Sequence, residues 1–425
     1  MKKEVSIFTG LVRVDKNLVG TAVIYKKIAD IFIALGYKVN MIIPAATDLE
    51  DKKINFQFYS DSRNKKLIKS SSLVVFGAYP PVEPLLYAHQ NKKVIISYLW
   101  SLAPIGSLEF KDFASQQRQA NLHEYISASY NLSLLLSDKI FCRDEGARKV
   151  VLGSLITLGR VNLSNYKDDR TLNNLLSVAP FGISKQKAKL TEHLIRKQAH
   201  INNDDFVLLW NGGIWNWNDG ETLIKAMSKI KNDKVKLVFQ GFSHPDKGGQ
   251  LSFKAKRSLT LAKKLGLVDK NIFFIKDWVP YDHRANYLLD SNIGVVSSPN
   301  IPEANLFLKT RIYDYLWADL PILLNDCEAF ASLVASKGLG LVVKTGDALD
   351  WSKKINILAT DKKLFKSIVA NIKKYKDEIS WQQALQPVKD FALKPKFAAD
   401  RRTNYSSLLK NSIKLNQAII KKNKI

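Results

Sequence analysis

Two cations and two carboxylates crowd one short stretch of this chain: Glu303, Lys309, Arg311 and Asp314. Lys309 and Arg311 stand two residues apart, just ahead of IYDYLWA, whose apolar spacing predicts a helix. A planar guanidinium holds two phosphate oxygens at once, and an ammonium acts as a movable point charge, so the pair suits a pyrophosphate. The competing reading is two ordinary surface cations in a lysine-rich chain. Asp314 lies seven residues before Pro321. A carboxylate is a pure acceptor and takes hydrogen bonds from both of two vicinal hydroxyls. An acidic residue near a helix start is also what the helix dipole favours.

These residues need a scaffold, and the hydrophobic pattern supplies one. VSIFTG reads as a buried strand, Ala22 to Leu35 has apolar residues at helical spacing, and GYKVNMIIP returns to strand, which makes a βαβ unit. SLVVFG, KVIISYLW and DKIFC continue the rhythm of a parallel sheet covered by helices. The Lys-rich stretch 184–204 reads as a connector. A second series follows, with FVLLWNGG, VKLVFQG, NIFFIKDWVP, NIGVVSS, LPILLND and GLVVK as strands and helix-like segments between them. The expected architecture is α/β, with two Rossmann-like doubly wound domains facing a cleft, over 1–183 and 205–385, and a basic helical end over 386–425 that packs back on the first domain. In such sheets ligands bind at the carboxyl ends of the strands.

Composition narrows the classes. The 425 residues, 46% of them hydrophobic, bury more core than one domain normally uses. Arg13 and Asp15 interrupt the apolar start before it reaches signal-peptide length, and no run of about eighteen apolar residues follows. Cys142 and Cys327 are far apart and form neither a disulfide framework nor a metal pattern, which fits a reducing cytoplasm. The formal charge is +26, so a polyanionic partner or surface is considered. From Arg401 onward there are seven basic and no acidic residues, with Leu408, Leu409, Ile413, Leu415, Ile419 and Ile420 at roughly helical spacing. That end suits an anionic membrane surface on the cytoplasmic side; its alternative is a helix packed on its own protein. No motif or aromatic-basic interleaving points to nucleic acid.

WNGGIWNWND with ETLIKAM, LVFQG, DWVPYDHRANYLLDSNIGVVSS, IPEANLFLKTRIYDYLWADLP and GLGLVVKTGD run in the order seen in family 4 glycosyltransferases. Over roughly Asp204 to Asp350 the chain resembles these retaining enzymes of the GT-B fold, in particular a subgroup with a Trp-rich glycine turn. The resemblance implies a nucleotide-sugar donor and a glycan or lipid-linked glycan acceptor in surface-polysaccharide synthesis of the O-antigen type. It implies that Lys309 and Arg311 meet the phosphates, that Asp314 holds the ribose in place of the usual Glu, and that Glu303 touches the donor sugar. Val279, Pro280 and Tyr281 would hold the base largely through backbone, and His283 and Arg284 read as ordinary residues opening the next helix. Glu303 and Asp314 are eleven positions apart, about three more than in the family, which suggests a longer loop. The family's glycine turn carries its own cations, but between Asn211 and Lys225 there are none. Phosphate charge therefore falls to the N–H groups of Gly212 and Gly213, the next helix N-terminus, and Lys309 with Arg311. Trp215 and Trp217 read as core packing, with pocket walls as the alternative.

In the first domain, Gly20 and Thr21 match the family's first glycine turn, where a missing Cβ lets backbone approach a ligand. Glu109 is the only acidic candidate in the loop SLAPIGSLEF, and His123 reads as a satisfied surface or core histidine. No DxD motif occurs, so neither a metal nor another cofactor is expected. Two other readings stay open: another GT-B enzyme such as a sugar-nucleotide epimerase, and a nucleotide-sugar-binding partner subunit without catalysis. Oligomeric state is not legible.

Overall fold

The computed structural model describes residues 3–110, 115–243, 250–402 and 407–423. The chain divides into two compact units, Met1–Phe181 with Ala384–Ile425, and Gly182–Gln383. Each is built on one parallel sheet.

In the first unit the strands are β1 (Glu4–Phe8), β2 (Lys38–Ile43), β3 (Ile54–Phe58), β4 (Leu73–Phe76), β5 (Val94–Leu99), β6 (Lys139–Cys142) and β7 (Leu176–Val178), in the order β3-β2-β1-β4-β5-β6-β7. β1, β4 and β5 are buried along their whole length, as near-continuous apolar runs covered on both faces must be. Two strands carry no clear sequence signal. β3 is an edge strand whose side chains are mostly part-exposed, and β7 has only three residues.

The C-terminal stretch returns to this unit. Arg160 is completely buried, reaches the carbonyls of Leu134 and Leu135, and pairs with Asp400 at 2.8 Å. Helix Ser407–Lys422 lies on helix Gln116–Leu136. Leu409 and Ile420 enter the core with Leu132 and Leu135, and Ile413 and Ile419 pack beside them. Much of the amphipathic end thus packs on its own protein, leaving Leu408 and Leu415 exposed. Among the described residues no helix is long and apolar enough to cross a membrane.

The second unit contains β8 (Phe206–Asn211), β9 (Val235–Gln240), β10 (Ile272–Ile275), β11 (Ile293–Val296), β12 (Ile322–Asn325) and β13 (Gly340–Val343), in the order β10-β9-β8-β11-β12-β13. Residues 184–204 are not a connector but part of this unit. Their helix Leu194–Ala199 buries Ile195 and is held by Asp290, which accepts from the Arg196 N–H at 2.9 Å and lies 2.6 Å from His193 Nδ1. Lysine-rich surface positions hid this anchoring from the sequence.

Candidate active site

The strand order of the second unit reverses between β8 and β11, and at such a switch point the loops part and leave a crevice at the carboxyl ends. One wall is the turn after β8. Gly212 has φ +95 and Gly241, after β9, has φ +69, both in the region that favours glycine. A Cβ on Gly241 would lie 3.5 Å from the Gly212 Cα and 3.1 Å from the Trp278 ring, so the two turns and Trp278 are closely packed. The Gly212 N–H donates to the Gln240 carbonyl at 2.9 Å. That N–H, expected to face a phosphate, is here committed to the neighbouring strand. The Gly213 carbonyl accepts from Arg311 Nη2 at 3.0 Å.

Helix Arg311–Trp317 is pinned over this point by Tyr315, whose Oη accepts from the Asn211 N–H at 3.0 Å and lies 2.9 Å from the Leu209 carbonyl. Tyr315 also fills the space that a side chain on Gly294 would need. The helix start therefore presents Arg311 to the glycine turn. Its guanidinium sits 4.7 Å from the centre of the Trp210 ring, and its Nη1 is buried without a hydrogen-bond partner among the described residues. Burial draws the arginine pKa down, opposed by Tyr315, Glu328, Asp314 and Glu303.

Lys309 and Glu303 meet directly, Nζ to Oε2, both largely buried. The eleven-position spacing is absorbed by the short helix Pro302–Leu306, and Glu303 remains beside the cations. Lys309 is thus neutralised by Glu303 within the protein itself.

Asp314 follows Arg311 by one turn. Its Oδ1 accepts from Arg284 Nε at 3.1 Å and its Oδ2 from Asn211 Nδ2 at 3.3 Å. Burial raises its carboxyl above the usual range, and Arg284 opposes that most strongly. Arg284 is therefore not an ordinary helix-opening residue. Its guanidinium stands 3.6 Å from the centre of the Tyr281 ring and 4.1 Å from that of Trp317, and it donates to the Tyr281 carbonyl at 2.8 Å. Tyr281 joins the site through Arg284. Val279 and Pro280 follow Trp278 along the chain, the Pro280 carbonyl accepting from the His283 N–H at 2.9 Å. Trp215 and Trp217 stack on each other at 5.7 Å and stay partly exposed, whereas Trp210 is fully buried.

The opposite wall was missed from sequence. Ser297 and Ser298 directly follow β11, β12 ends in Asn325, and the turn beyond carries Glu328, which is 4% exposed. Burial pushes its carboxyl up, opposed by Lys309, the Ser298 hydroxyl and Arg311, while the Glu303 charge adds to the rise. The available signal was the run of polar residues directly after two fully apolar strands.

In the first unit, Gly20 opens helix Gly20–Ala34 after Val19, which provides no side-chain cap. The backbone demand for glycine falls instead on Gly10, with φ +64 and with the Tyr79 carbonyl where a Cβ would go. His123 Nδ1 is 2.8 Å from Ser107 Oγ. Glu109 caps the helix Ala103–Leu108.

Residues 192–375 match the family model described as Glycosyl transferases group 1. That segment contains every candidate of the second unit. The fold is GT-B, and with the family match it supports a glycosyltransferase. The sucrose-phosphate synthase of Thermosynechococcus elongatus superposes with a TM-score of 0.65 at 14% identity, over 92% of this chain and 98% of that one. Anabaena Alr3699/HepE in complex with UDP gives 0.64 at 12%, over 91% and 98%. A glycosyltransferase from Rickettsia africae ESF-5 gives 0.61 at 17%, over 93% and 100%. No curated protein matches the chain by sequence.

Proposed function

We propose that this protein is a retaining, metal-independent glycosyltransferase of family 4, in the subgroup with a Trp-rich glycine turn. It moves a sugar from a nucleotide-sugar donor to a glycan or lipid-linked glycan acceptor in surface-polysaccharide synthesis, in the cytoplasm and peripherally on the inner membrane leaflet. The observation that carries the reading is the meeting of Arg311, Lys309, Glu303 and Asp314 at the switch point of the second sheet. As the glycosidic bond breaks, negative charge gathers on the departing diphosphate. Arg311, with its unmatched Nη1, and Lys309, once drawn from Glu303, neutralise it without a metal. Asp314, oriented by Arg284, accepts from the ribose hydroxyls, and Tyr281 with Trp278 flanks the base. The donor class is further supported by the neighbour Alr3699/HepE, whose structures hold UDP and UDP-glucose.

The test is hydrolysis or transfer from UDP-glucose, GDP-mannose and ADP-glucose, followed by release of the nucleoside diphosphate. Arg311→Ala and Lys309→Ala are expected to abolish turnover, and a wild-type protein that binds none of the three sinks the reading. The commitment of the Gly212 amide to Gln240 favours a second reading, a donor-binding partner subunit, which predicts binding without turnover on any acceptor.

A further inference from the structure

The wall opposite the glycine turn holds an unmatched polar cluster. The Asn325 Oδ1 accepts from the Ser298 N–H at 3.0 Å, and the Asn325 carbonyl accepts from the Glu328 N–H at 3.1 Å, so Asn325 holds the three residues together through its side chain and its backbone. The Ser297 carbonyl accepts from the Asp219 N–H at 2.9 Å, which ties the cluster to the far side of the switch point. Yet the carboxylate oxygens of Glu328, the hydroxyls of Ser297 and Ser298, and Nδ2 of Asn325 are buried short of good hydrogen-bond geometry with any described residue, although the Ser298 hydroxyl faces the Glu328 carboxylate and favours its charge.

Buried polar groups are normally paired, and an unpaired carboxylate is the costliest case. Five such atoms in one place, at the carboxyl ends of β11 and β12, call for a ligand that both donates and accepts. A diphosphate does not fit, because it has no proton to offer Glu328 and would be repelled by Glu328 and Glu303 together. A metal ion does not fit either: Lys309 and Arg311 already bring positive charge to the carboxylates, and among the described residues no cluster of metal-binding side chains exists. Vicinal hydroxyls do fit. They donate to the carboxylate and accept from the serine hydroxyls and the amide.

Resting on the proposed donor site, we infer that Glu328, with Ser298 and Asn325, is a specificity-determining polyol subsite that reads hydroxyls of the donor's sugar ring. Glu328 also lies within electrostatic reach of Lys309, Glu303 and Arg311, so the sugar subsite adjoins the groups assigned to the diphosphate.

Calorimetric titration of the wild type, Glu328→Gln and Glu328→Ala tests this. The probes are UDP-glucose, GDP-mannose and ADP-glucose, each against its own nucleoside diphosphate. Glu328→Ala is expected to bind the nucleoside diphosphate at least as tightly as the wild type but to bind the preferred nucleotide-sugar on the order of tenfold more weakly. Glu328→Gln, which keeps the shape and one acceptor oxygen, falls between and guards against a folding defect in the alanine variant. Equal affinity of wild type and both variants for the nucleotide-sugar overturns the subsite while leaving the donor site intact. Parallel loss of nucleotide and nucleotide-sugar affinity also overturns it, because Glu328 is then structural. A wild type that binds no nucleotide at all removes the donor site and the subsite together.

Discussion

Arg284 donates from Nε to Oδ1 of Asp314 across 3.1 Å, joining residues 30 positions apart. The pair links the segment after β10 to the helix that carries Arg311, with Tyr281 and Trp317 packed on the guanidinium. Through it, the residue assigned to the ribose is held by one that bears no mark in the sequence.

Arg284→Ala is therefore expected to act twice. Loss of a charge-assisted hydrogen bond and of ring stacking costs about 2 kcal/mol of unfolding free energy. Because Asp314 loses its orienting partner, nucleotide affinity falls as well, and Arg284→Lys, without the planar fork, recovers little of it. Urea unfolding and UDP titration on the same preparations measure both effects; unchanged nucleotide affinity in Arg284→Ala would falsify the orienting role.

Lys309 and Glu303 form a largely buried pair. Lys309→Ala leaves a carboxylate without its cation, and the expected loss is about 3 to 5 kcal/mol. Lys309→Met combined with Glu303→Gln is expected to recover most of that stability, since removing both charges removes the desolvation cost with them. The double variant is nonetheless inactive in transfer. Denaturation midpoints of the two single variants and the double variant form the cycle that decides it.

Burial raises the Glu328 carboxyl above its ordinary value, and that fixes the sign of a pH effect. A group whose folded pKa is raised contributes stability that is full below its unfolded value of ~4.3 and is lost as pH rises through the folded value. Wild type should therefore lose stability relative to Glu328→Gln as pH rises above about 4. Unfolding curves collected across pH 4 to 8 check this; a difference that stays flat contradicts a buried, titrating carboxyl.

Helix Ser407–Lys422 provides a control on the charged end of the chain. Leu409 is fully buried and Leu415 is 62% exposed. Leu409→Ala should cost about 2 to 5 kcal/mol, whereas Leu415→Ala should stay within about 0.5 kcal/mol. Similar small losses from both would mean that the helix does not belong to the core of the first unit.

Sequence by itself determined the two parallel sheets, because strands buried on both faces must be written as unbroken apolar runs such as VVF and ILL, whatever surrounds them. It also singled out Lys309, Arg311 and Asp314 as candidates, because they lie close together around one helix start within the stretch that resembles the family. The edge strand β3 and the three-residue β7 escaped for the opposite reason: too little of either is buried to leave a pattern. What only the tertiary structure decided are relationships between separate strands and loops. Asn325 meets Ser298 because β12 lies beside β11, the Gly212 amide is spent on Gln240 because β9 lies alongside β8, and Asp314 is held by Arg284 across the crevice between the two halves of the sheet. Such contacts depend on strand order, which local periodicity does not encode. They divide the candidate residues into two groups, which the proposed reading assigns to the diphosphate with ribose and to sugar hydroxyls.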